Sequence, residues 1–425
     1  MSKPNSLQVQ VSSLIPNSSA SEPAASPEQQ AASGSEVLPE EQIVAGNTSH
    51  TRPENRAFYP ALDGLRAIAF LMVFFTHYCA MPWGWAGVDL FFVLSGFLIT
   101  GILFDTREDR HRVRNFYVRR TLRIFPLYYG VMLLILPFTY QGLSWSWLAW
   151  PAYLGNYARM IGPYTVGSPL QRLADFQPVV HMTIHRAHPA HLALGHFWSL
   201  CIEEQFYLLW PWIVFRIRER RTLLSICASS IPICVAARLL GQHLLPSWML
   251  HNEVLYRVTP FRLDALLLGG FLALWIRGPH RDLLLRAARV VWPVALVPVV
   301  MAVMWRHFWR DPYPEWRFTW GLLVIDLVSA LAVACAIQPG SVLYLALNWR
   351  PFRWLGRMSY GAYVLHDIPR DLYIGVAHWL VPSYVPQAAA LLAFLSTCVL
   401  SWLSYRFFES PFLNLKERWT IRSVA

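Results

Sequence analysis

Charged residues are scarce in this chain of 425 amino acids, since Asp, Glu, Lys and Arg together make up only 14% of it. Soluble globular proteins carry roughly 25% charged residues, so the shortage excludes an ordinary soluble enzyme. Hydrophobic residues reach 55%, and the mean hydropathy is +0.34. The composition therefore predicts one membrane-embedded domain in contact with lipid.

Cysteine is also rare, with 6 residues that all fall in apolar runs and form no CxxC pair. This pattern excludes a disulfide framework and is typical of small core residues. Aromatic residues and continuous apolar runs are nearly absent before residue 58. We therefore expect a disordered cytoplasmic tail at 1–57 rather than a signal peptide, then a transmembrane domain at 58–412 and a short cytoplasmic tail at 413–425.

About ten apolar runs, each of roughly 20 residues, follow the tail, and this is the length at which a helix spans a hydrocarbon core. They predict an all-α integral membrane protein, a bundle of about ten transmembrane helices. Pro369 is expected to kink or break the ninth run. The runs lie at 61–81, 85–105, 120–140, 197–216, 222–241, 258–277, 290–308, 318–338, 354–380 and 386–408.

Arginine concentrates in alternate loops between these runs, and the net charge is +11. The positive-inside rule then predicts a multi-pass membrane protein with both termini in the cytoplasm, and no nucleic-acid partner is needed to explain the charge. The longest loop, 141–196, should face outward and contains five histidines. They lack a Cys or carboxylate partner at ligand spacing, so we predict no metal site. The loop is either a substrate-facing lid or a variable solvated segment.

Arg66 and His77 lie in the first apolar run, separated by ten residues. Eleven steps of about 100° come to three turns plus about 20°, so both side chains share a helix face, roughly 16 Å apart along the axis. Two ionisable groups in lipid are costly unless they line a polar passage. The spacing predicts a reaction channel in which His77 is the general base. The alternative is a buried ionic or hydrogen-bonded pair that only holds helices together.

The segment 196–211 places His196, Ser199, Glu203 and Phe206 at steps of three and four residues, so they share a helix face. Glu203 is a candidate to orient His77, as the third member of a catalytic triad does. Pairing of Glu203 with an arginine for structural reasons is the alternative.

Arg119, Arg120 and Arg123 begin the third apolar run. Guanidinium groups bind phosphoryl oxygens bidentately, so these side chains are candidates for a phosphate clamp. Positive-inside anchoring explains them equally well.

Two further polar groups interrupt apolar runs. Arg262 and Asp264 stand two residues apart and point in different directions, so they are either structural struts or substrate contacts. Ser359, Tyr363 and His366 share a face in the ninth run and either support the substrate site or form a satisfied core network.

Seven segments in order resemble the type-3 membrane acyltransferases, which include O-acetylases of lipopolysaccharide, exopolysaccharide and related glycans. The resemblance covers about residues 58–412 and includes the Arg-x10-His signature formed by Arg66 and His77. The segments are LDGLRAIAFLMVFFTHY, GVDLFFVLSGFLIT, FYVRRTLRIFPLYY, FWSLCIEEQFYLLWP, RLDALLLGG, LGRMSYGAYVLHDIP and RFFESPF.

The resemblance implies a ten-helix enzyme of the bacterial inner (plasma) membrane that moves an acyl group, usually acetyl, from cytoplasmic acyl-CoA to a hydroxyl of an exported or cell-surface carbohydrate. It implies acetyl-CoA as a donor substrate and no permanently bound cofactor. Arg120 and Arg123 match the family's inner RxxR motif, and Glu203 matches its acidic position. With this donor, the phosphates of acyl-CoA are expected to bind Arg119, Arg120 and Arg123. Some relatives carry an additional C-terminal hydrolase-like domain; only a short tail follows Glu409 here, so a second transfer step is expected to need a separate partner.

Two alternatives concern function. A secondary transporter also places Arg, His, Asp and Glu inside helices. An acyltransferase acting on a small macrolide-like acceptor fits the same motifs. The acceptor carbohydrate, which is possibly lipid-linked in such systems, the acyl chain, a covalent intermediate and the oligomeric state are not determined by the sequence.

Overall fold

A computed structural model of the protein describes residues 59–81, 83–135, 149–160, 179–180, 190–191, 194–251, 253–304 and 318–421. The predicted tail at 1–57 and most of the loop at 141–196 lie outside these residues. The described chain is helical apart from one short strand pair, which confirms the all-α class.

The α-helices of the described residues are, in chain order, α1 (Ala61–Tyr78), α2 (Ala86–Asp105), α3 (Arg112–Ile135), α4 (Trp198–Arg216), α5 (Arg220–Leu244), α6 (Ser247–His251), α7 (Val254–Arg257), α8 (Leu263–Trp275), α9 (Arg281–Met304), α10 (Trp320–Ala336), α11 (Val342–Leu347), α12 (Arg350–Arg357), α13 (Ser359–Leu365), α14 (Arg370–Leu380), α15 (Val385–Leu403) and α16 (Ser410–Trp419). A π-helix spans Ser404–Glu409, and 3₁₀ helices span Gly155–Met160, Gly195–Phe197, Thr259–Phe261 and Pro382–Tyr384. The antiparallel strands are β1 (Val179–Val180) and β2 (Ala190–His191).

Helix α2 is at the centre of the bundle because it is apolar on nearly every side, and 14 of its 20 residues are buried. It packs closely against α8. A Cβ atom on Gly96 would collide with the backbone carbonyl of Leu266, and one on Gly269 would collide with that of Val93. The two glycines therefore let the helix backbones approach each other, as small residues do in membrane bundles.

Five segments of the described residues are long and apolar enough to cross a membrane: Ala61–Tyr78, Ala86–Asp105, Arg220–Leu244, Arg281–Met301 and Pro382–Trp419. Two shorter apolar helices, α8 and α10, lie among them. A multi-pass membrane protein is thus supported, whereas the predicted number of about ten spans is not confirmed. Helix α3 departs from the prediction because its first turns carry the arginine cluster, which a span cannot bury in lipid.

The ninth predicted span, 354–380, is wrong as a continuous helix. It is divided among α12, α13 and α14. Pro369 is the N-cap of α14, so the expected break at this proline is confirmed. The earlier break at Met358 follows Gly356, whose position leaves no room for a Cβ atom beside the Asp63 carbonyl of α1.

Two fully buried ion pairs tie α2, α5 and α8 together. Arg262 pairs with Asp89, and Arg238 Nη2 lies 2.7 Å from Asp264 Oδ2. All four side chains are at most 1% exposed. A buried charge without its partner is costly, so Arg262 and Asp264 are struts in this structure rather than members of a substrate cavity.

Candidate active site

A polar cavity opens between α1, α2, α3, α4 and α13. The volume that the centre of a water molecule can occupy there is about 90 Å³. Predicted site residues from four widely separated segments line this cavity, because helical spacing turns them toward the same interior. Its polar lining consists of Arg66, Ser95, Arg120, Arg123, Ser199, Glu203, Glu204, Tyr207, Ser359, Tyr360 and Tyr363.

Three guanidinium groups dominate the electrostatics of the cavity, those of Arg66, Arg120 and Arg123. Arg66 Nη1 donates a hydrogen bond to Asp63 Oδ1 at 3.1 Å, and the Arg120 guanidinium lies 4.6 Å from the centre of the Tyr207 ring. Arginines gathered around one partly buried space attract an anion such as a phosphate group. Arg119 is not among the lining residues.

The carboxylate of Glu203 lies in the cavity and does not orient His77. Its Oε1 accepts a hydrogen bond from Ser95 Oγ at 2.5 Å. Glu203 and Glu204 both line the space that the guanidiniums face, so they offset part of its positive charge. The prediction that Glu203 is the third member of a triad with His77 is therefore wrong in geometry, and the alternative of proximity to arginines fits.

His77 instead contacts His366, and the hydrogen bonds define its tautomer. His366 Nδ1 lies 2.7 Å from the backbone oxygen of Tyr363, which can only accept, so this nitrogen carries the proton. A neutral His366 then accepts through Nε2, and His77 Nδ1 donates to it at 2.9 Å. The lone pair of a neutral His77 is left on Nε2, which is the atom that can accept a proton.

Asp367 is the carboxylate that faces His77, and it was missed by sequence reasoning. Its Oδ1 lies 3.4 Å from His77 Nδ1 and 2.7 Å from Arg370 Nη2, and its Oδ2 lies 3.8 Å from His196 Nδ1. The side chain is only 7% exposed. The sequence did contain a signal for Asp367, because it places a carboxylate next to His366 inside an apolar run. A carboxylate at membrane depth is costly unless it has a partner.

His77, His196, His366 and Asp367 together are called the histidine–aspartate cluster below. His77 is half-buried and is not among the residues that line the cavity, so Arg66 and His77 do not share one continuous passage in this conformation. The two regions meet at Tyr363 and Ser199, which line the cavity and whose hydroxyl oxygens are 2.5 Å apart. The Tyr363 ring centre lies 5.6 Å from that of His366.

The predicted site residues thus divide into three groups. Those in the cavity are Arg66, Arg120, Arg123, Ser199, Glu203, Ser359 and Tyr363, and those in the histidine–aspartate cluster are His77 and His366. Arg119, Arg262 and Asp264 belong to neither. Of the outer-loop histidines, His196 joins the cluster, while His181, His185 and His188 lie outside the described residues.

A protein-family model described as "Acyltransferase domain" matches residues 59–406. No solved structure matches the chain.

Several curated proteins are similar over most of this chain. The YrhL protein of Bacillus subtilis (strain 168) is 29% identical over 378 residues. The aligned region covers 85% of this chain and 56% of YrhL. The peptidoglycan O-acetyltransferase OatA of Listeria monocytogenes is 28% identical over 389 residues, which cover 84% of this chain and 56% of the relative. The O-acetyltransferase OatA of Staphylococcus aureus (strain NCTC 8325 / PS 47) is 26% identical over 373 residues, which cover 83% of this chain and 57% of the relative. The chain therefore spans little more than half the length of these relatives.

Proposed function

The chain belongs to the acyltransferase domain family, and from that premise we propose that it is a membrane O-acyltransferase that acetylates a hydroxyl of a cell-surface carbohydrate. The observation that carries the proposal is the pairing of two features, a cavity with three guanidiniums and an adjacent imidazole with its Nε2 lone pair free. Peptidoglycan is the first acceptor to test, because the three relatives above are named for O-acetylation and two of them, YrhL and the Listeria OatA, for that polymer.

The arginine-lined cavity is proposed to receive acetyl-CoA from the cytoplasmic side. Arg120 and Arg123 bind anionic oxygens of the donor, which guanidinium groups do bidentately. Arg66 stands opposite them on α1, where it draws the donor toward the interior of the bundle. The acyl end of the donor then extends past Ser199 and Tyr363 toward the imidazole, which requires this hydroxyl pair to move aside.

At the histidine–aspartate cluster His77 acts as the general base. Its Nε2 takes the proton of the acceptor hydroxyl while the hydroxyl oxygen attacks the thioester carbonyl. The tetrahedral intermediate collapses with cleavage of the carbon–sulfur bond, the ester is formed, and the CoA thiolate leaves and is protonated by the imidazolium. Asp367 stabilises the positive charge on His77 between these two proton transfers.

The test uses the full chain reconstituted in lipid, supplied with acetyl-CoA and soluble peptidoglycan fragments. We expect free CoA thiol and an acetylated fragment in equal amounts, and thiol release only when the acceptor is present. A transporter would release no thiol.

Two variants locate the reaction. His77→Ala should lose transfer by about 100-fold or more, because general-base catalysis contributes 10²–10⁴-fold in typical enzymes. Arg120→Gln should raise the KM for acetyl-CoA more than it lowers kcat, because it binds the donor. The exposed His243 provides the matched control His243→Ala. Transfer at the wild-type rate by folded His77→Ala protein would contradict the assignment of the base.

A further inference from the structure

We propose that the histidine–aspartate cluster, His77, His196, His366 and Asp367, binds a divalent transition metal of the zinc class. The cluster joins three parts of the fold, the end of α1, the 3₁₀ helix Gly195–Phe197 and the connection between α13 and α14. Imidazole and carboxylate are the ligands that Zn²⁺ takes in proteins. The site departs from the sequence-based prediction, which considered only the spacing of histidines within the outer loop.

The ligand atoms of His77, His366 and Asp367 all lie within 4.8 Å of one another, and three separations within the cluster are close to those around zinc. In a tetrahedral site with Zn–N distances of roughly 2.0–2.1 Å, neighbouring ligand atoms lie about 3.3 Å apart. The corresponding distances are 2.9 Å for His77 Nδ1 to His366 Nε2 and 3.4 Å for His77 Nδ1 to Asp367 Oδ1. His196 Nδ1 and Asp367 Oδ2 are 3.8 Å apart. Each distance can reach the tetrahedral value by a movement of about half an ångström.

Hydrogen bonds on the far side of two imidazoles aim their lone pairs into the cluster. His366 Nδ1 donates to the carbonyl of Tyr363, and His196 Nε2 donates to the carbonyl of Val364 at 3.1 Å. Metal-binding histidines commonly donate their other N–H to a carbonyl or carboxylate in this way, which orients the ring and keeps the ligating nitrogen unprotonated.

His196 Nδ1 supplies an independent observation that points to a bound cation. It is buried and has no hydrogen-bond partner among the residues that the structure describes. Its lone pair faces the Asp367 carboxylate, so two electron-rich atoms confront each other in a poorly solvated interior, which is unfavourable. A metal ion between them would serve as the shared acceptor of both lone pairs.

Arg370 sets the strength of this site. Its guanidinium lies 2.7 Å from Asp367 Oδ1 and is 32% exposed. A nearby positive charge repels a dication, so we expect reversible binding rather than a permanently held metal. His77 is 24% exposed, which gives an ion access to the cluster.

Metal binding has a consequence that rests on the proposed function. An ion on His77 Nδ1 replaces the proton of that nitrogen and moves the ring proton to Nε2, which then cannot accept a proton from an acceptor hydroxyl. Zn²⁺ is therefore expected to inhibit acyl transfer reversibly.

The experiment is a calorimetric titration of ZnCl₂ into the chelator-washed full chain in lipid nanodiscs, with MgCl₂ as the comparison ion. We expect one Zn²⁺ per chain and no Mg²⁺ binding, since Mg²⁺ prefers oxygen ligands. Co²⁺ should give the absorption bands of a tetrahedral nitrogen–oxygen site.

Variants with opposite expected signs separate the site from a general loss of structure. His196→Gln should weaken Zn²⁺ binding by at least about tenfold, because even the loss of a residue that only hydrogen-bonds a metal ligand costs about that much affinity. Arg370→Gln should strengthen it by about tenfold because a repelling charge is removed. The control His243→Gln should leave it unchanged, and thermal unfolding establishes that each variant is folded.

The outer loop offers the competing source of ligands. Joint replacement of His181, His185, His188 and His191 by Gln should leave the bound Zn²⁺ in place. Absence of Zn²⁺ binding, or binding lost in this loop variant and retained in His196→Gln, would overturn the metal site. If the protein transfers acyl groups but does not bind Zn²⁺, the metal site is wrong and the proposed function stands. If it binds Zn²⁺ but transfers no acyl group, the proposed function is wrong and the metal site stands.

Discussion

At the scale of single residues, the partner of His77 is decided by neighbours that are distant in the chain. His77 and His366 are 289 positions apart, and Asp367 follows directly. Helical periodicity relates residues within one helix, so it identified Arg66, Ser199 and Glu203 as inward-facing but could not select which carboxylate meets His77. Glu203 was the wrong choice for that reason.

The position of Asp367 leads to a prediction at this scale. Asp367→Asn should lower kcat for acetyl transfer by about 10–100-fold because the imidazolium loses its counter-charge, while the KM for acetyl-CoA changes little. Steady-state kinetics of the reconstituted enzyme measures both parameters.

Two further variants serve as controls for this prediction. Asp367→Glu keeps the charge and should restore part of the lost kcat, whereas Asp282→Asn, at an exposed position in the first turn of α9, should have no effect. A normal kcat in Asp367→Asn would show that the carboxylate is not needed for the proton transfers.

At the scale of elements, glycine and proline decide where helices pack and where they end. The break at Pro369 was predictable because proline removes a backbone donor and disfavours the helical conformation before it. The division at Met358 was not, because it reflects the close fit of Gly356 against α1, which is a contact between elements.

The contact between α2 and α8 gives the second prediction. Gly96→Ala should destabilise the protein by about 1–3 kcal/mol, because a Cβ atom at this site must displace the backbone of Leu266. Thermal unfolding in a fixed detergent is the measurement. Gly195→Ala is the matched control, since a Cβ atom there would meet nothing within 4 Å. Equal melting temperatures for the two variants would rule out close packing at Gly96.

At the scale of the whole molecule, the orientation in the membrane remains a prediction from arginine distribution. Cys79 tests it directly, because it follows the C-terminus of α1 and is exposed, whereas Cys201, Cys227, Cys234 and Cys335 are buried. If the N-terminus is cytoplasmic, Cys79 lies toward the outside. A membrane-impermeant maleimide should then label intact cells that express the protein, and Cys79→Ser should abolish that labelling. Labelling of Cys79 only after the cells are opened would reverse the proposed direction of transfer.

The sequence by itself determined the class of molecule and its family. Scarce charge, apolar runs and motifs in a defined order depend on local composition and spacing, which a single chain displays without folding. Only the tertiary structure decided that the arginines of α1 and α3 surround one cavity, that Arg262 and Asp264 serve as struts, and that Asp367 faces His77. These outcomes depend on which buried charges come within a few ångströms of each other, and that distance is set by the packing of helices far apart in the chain.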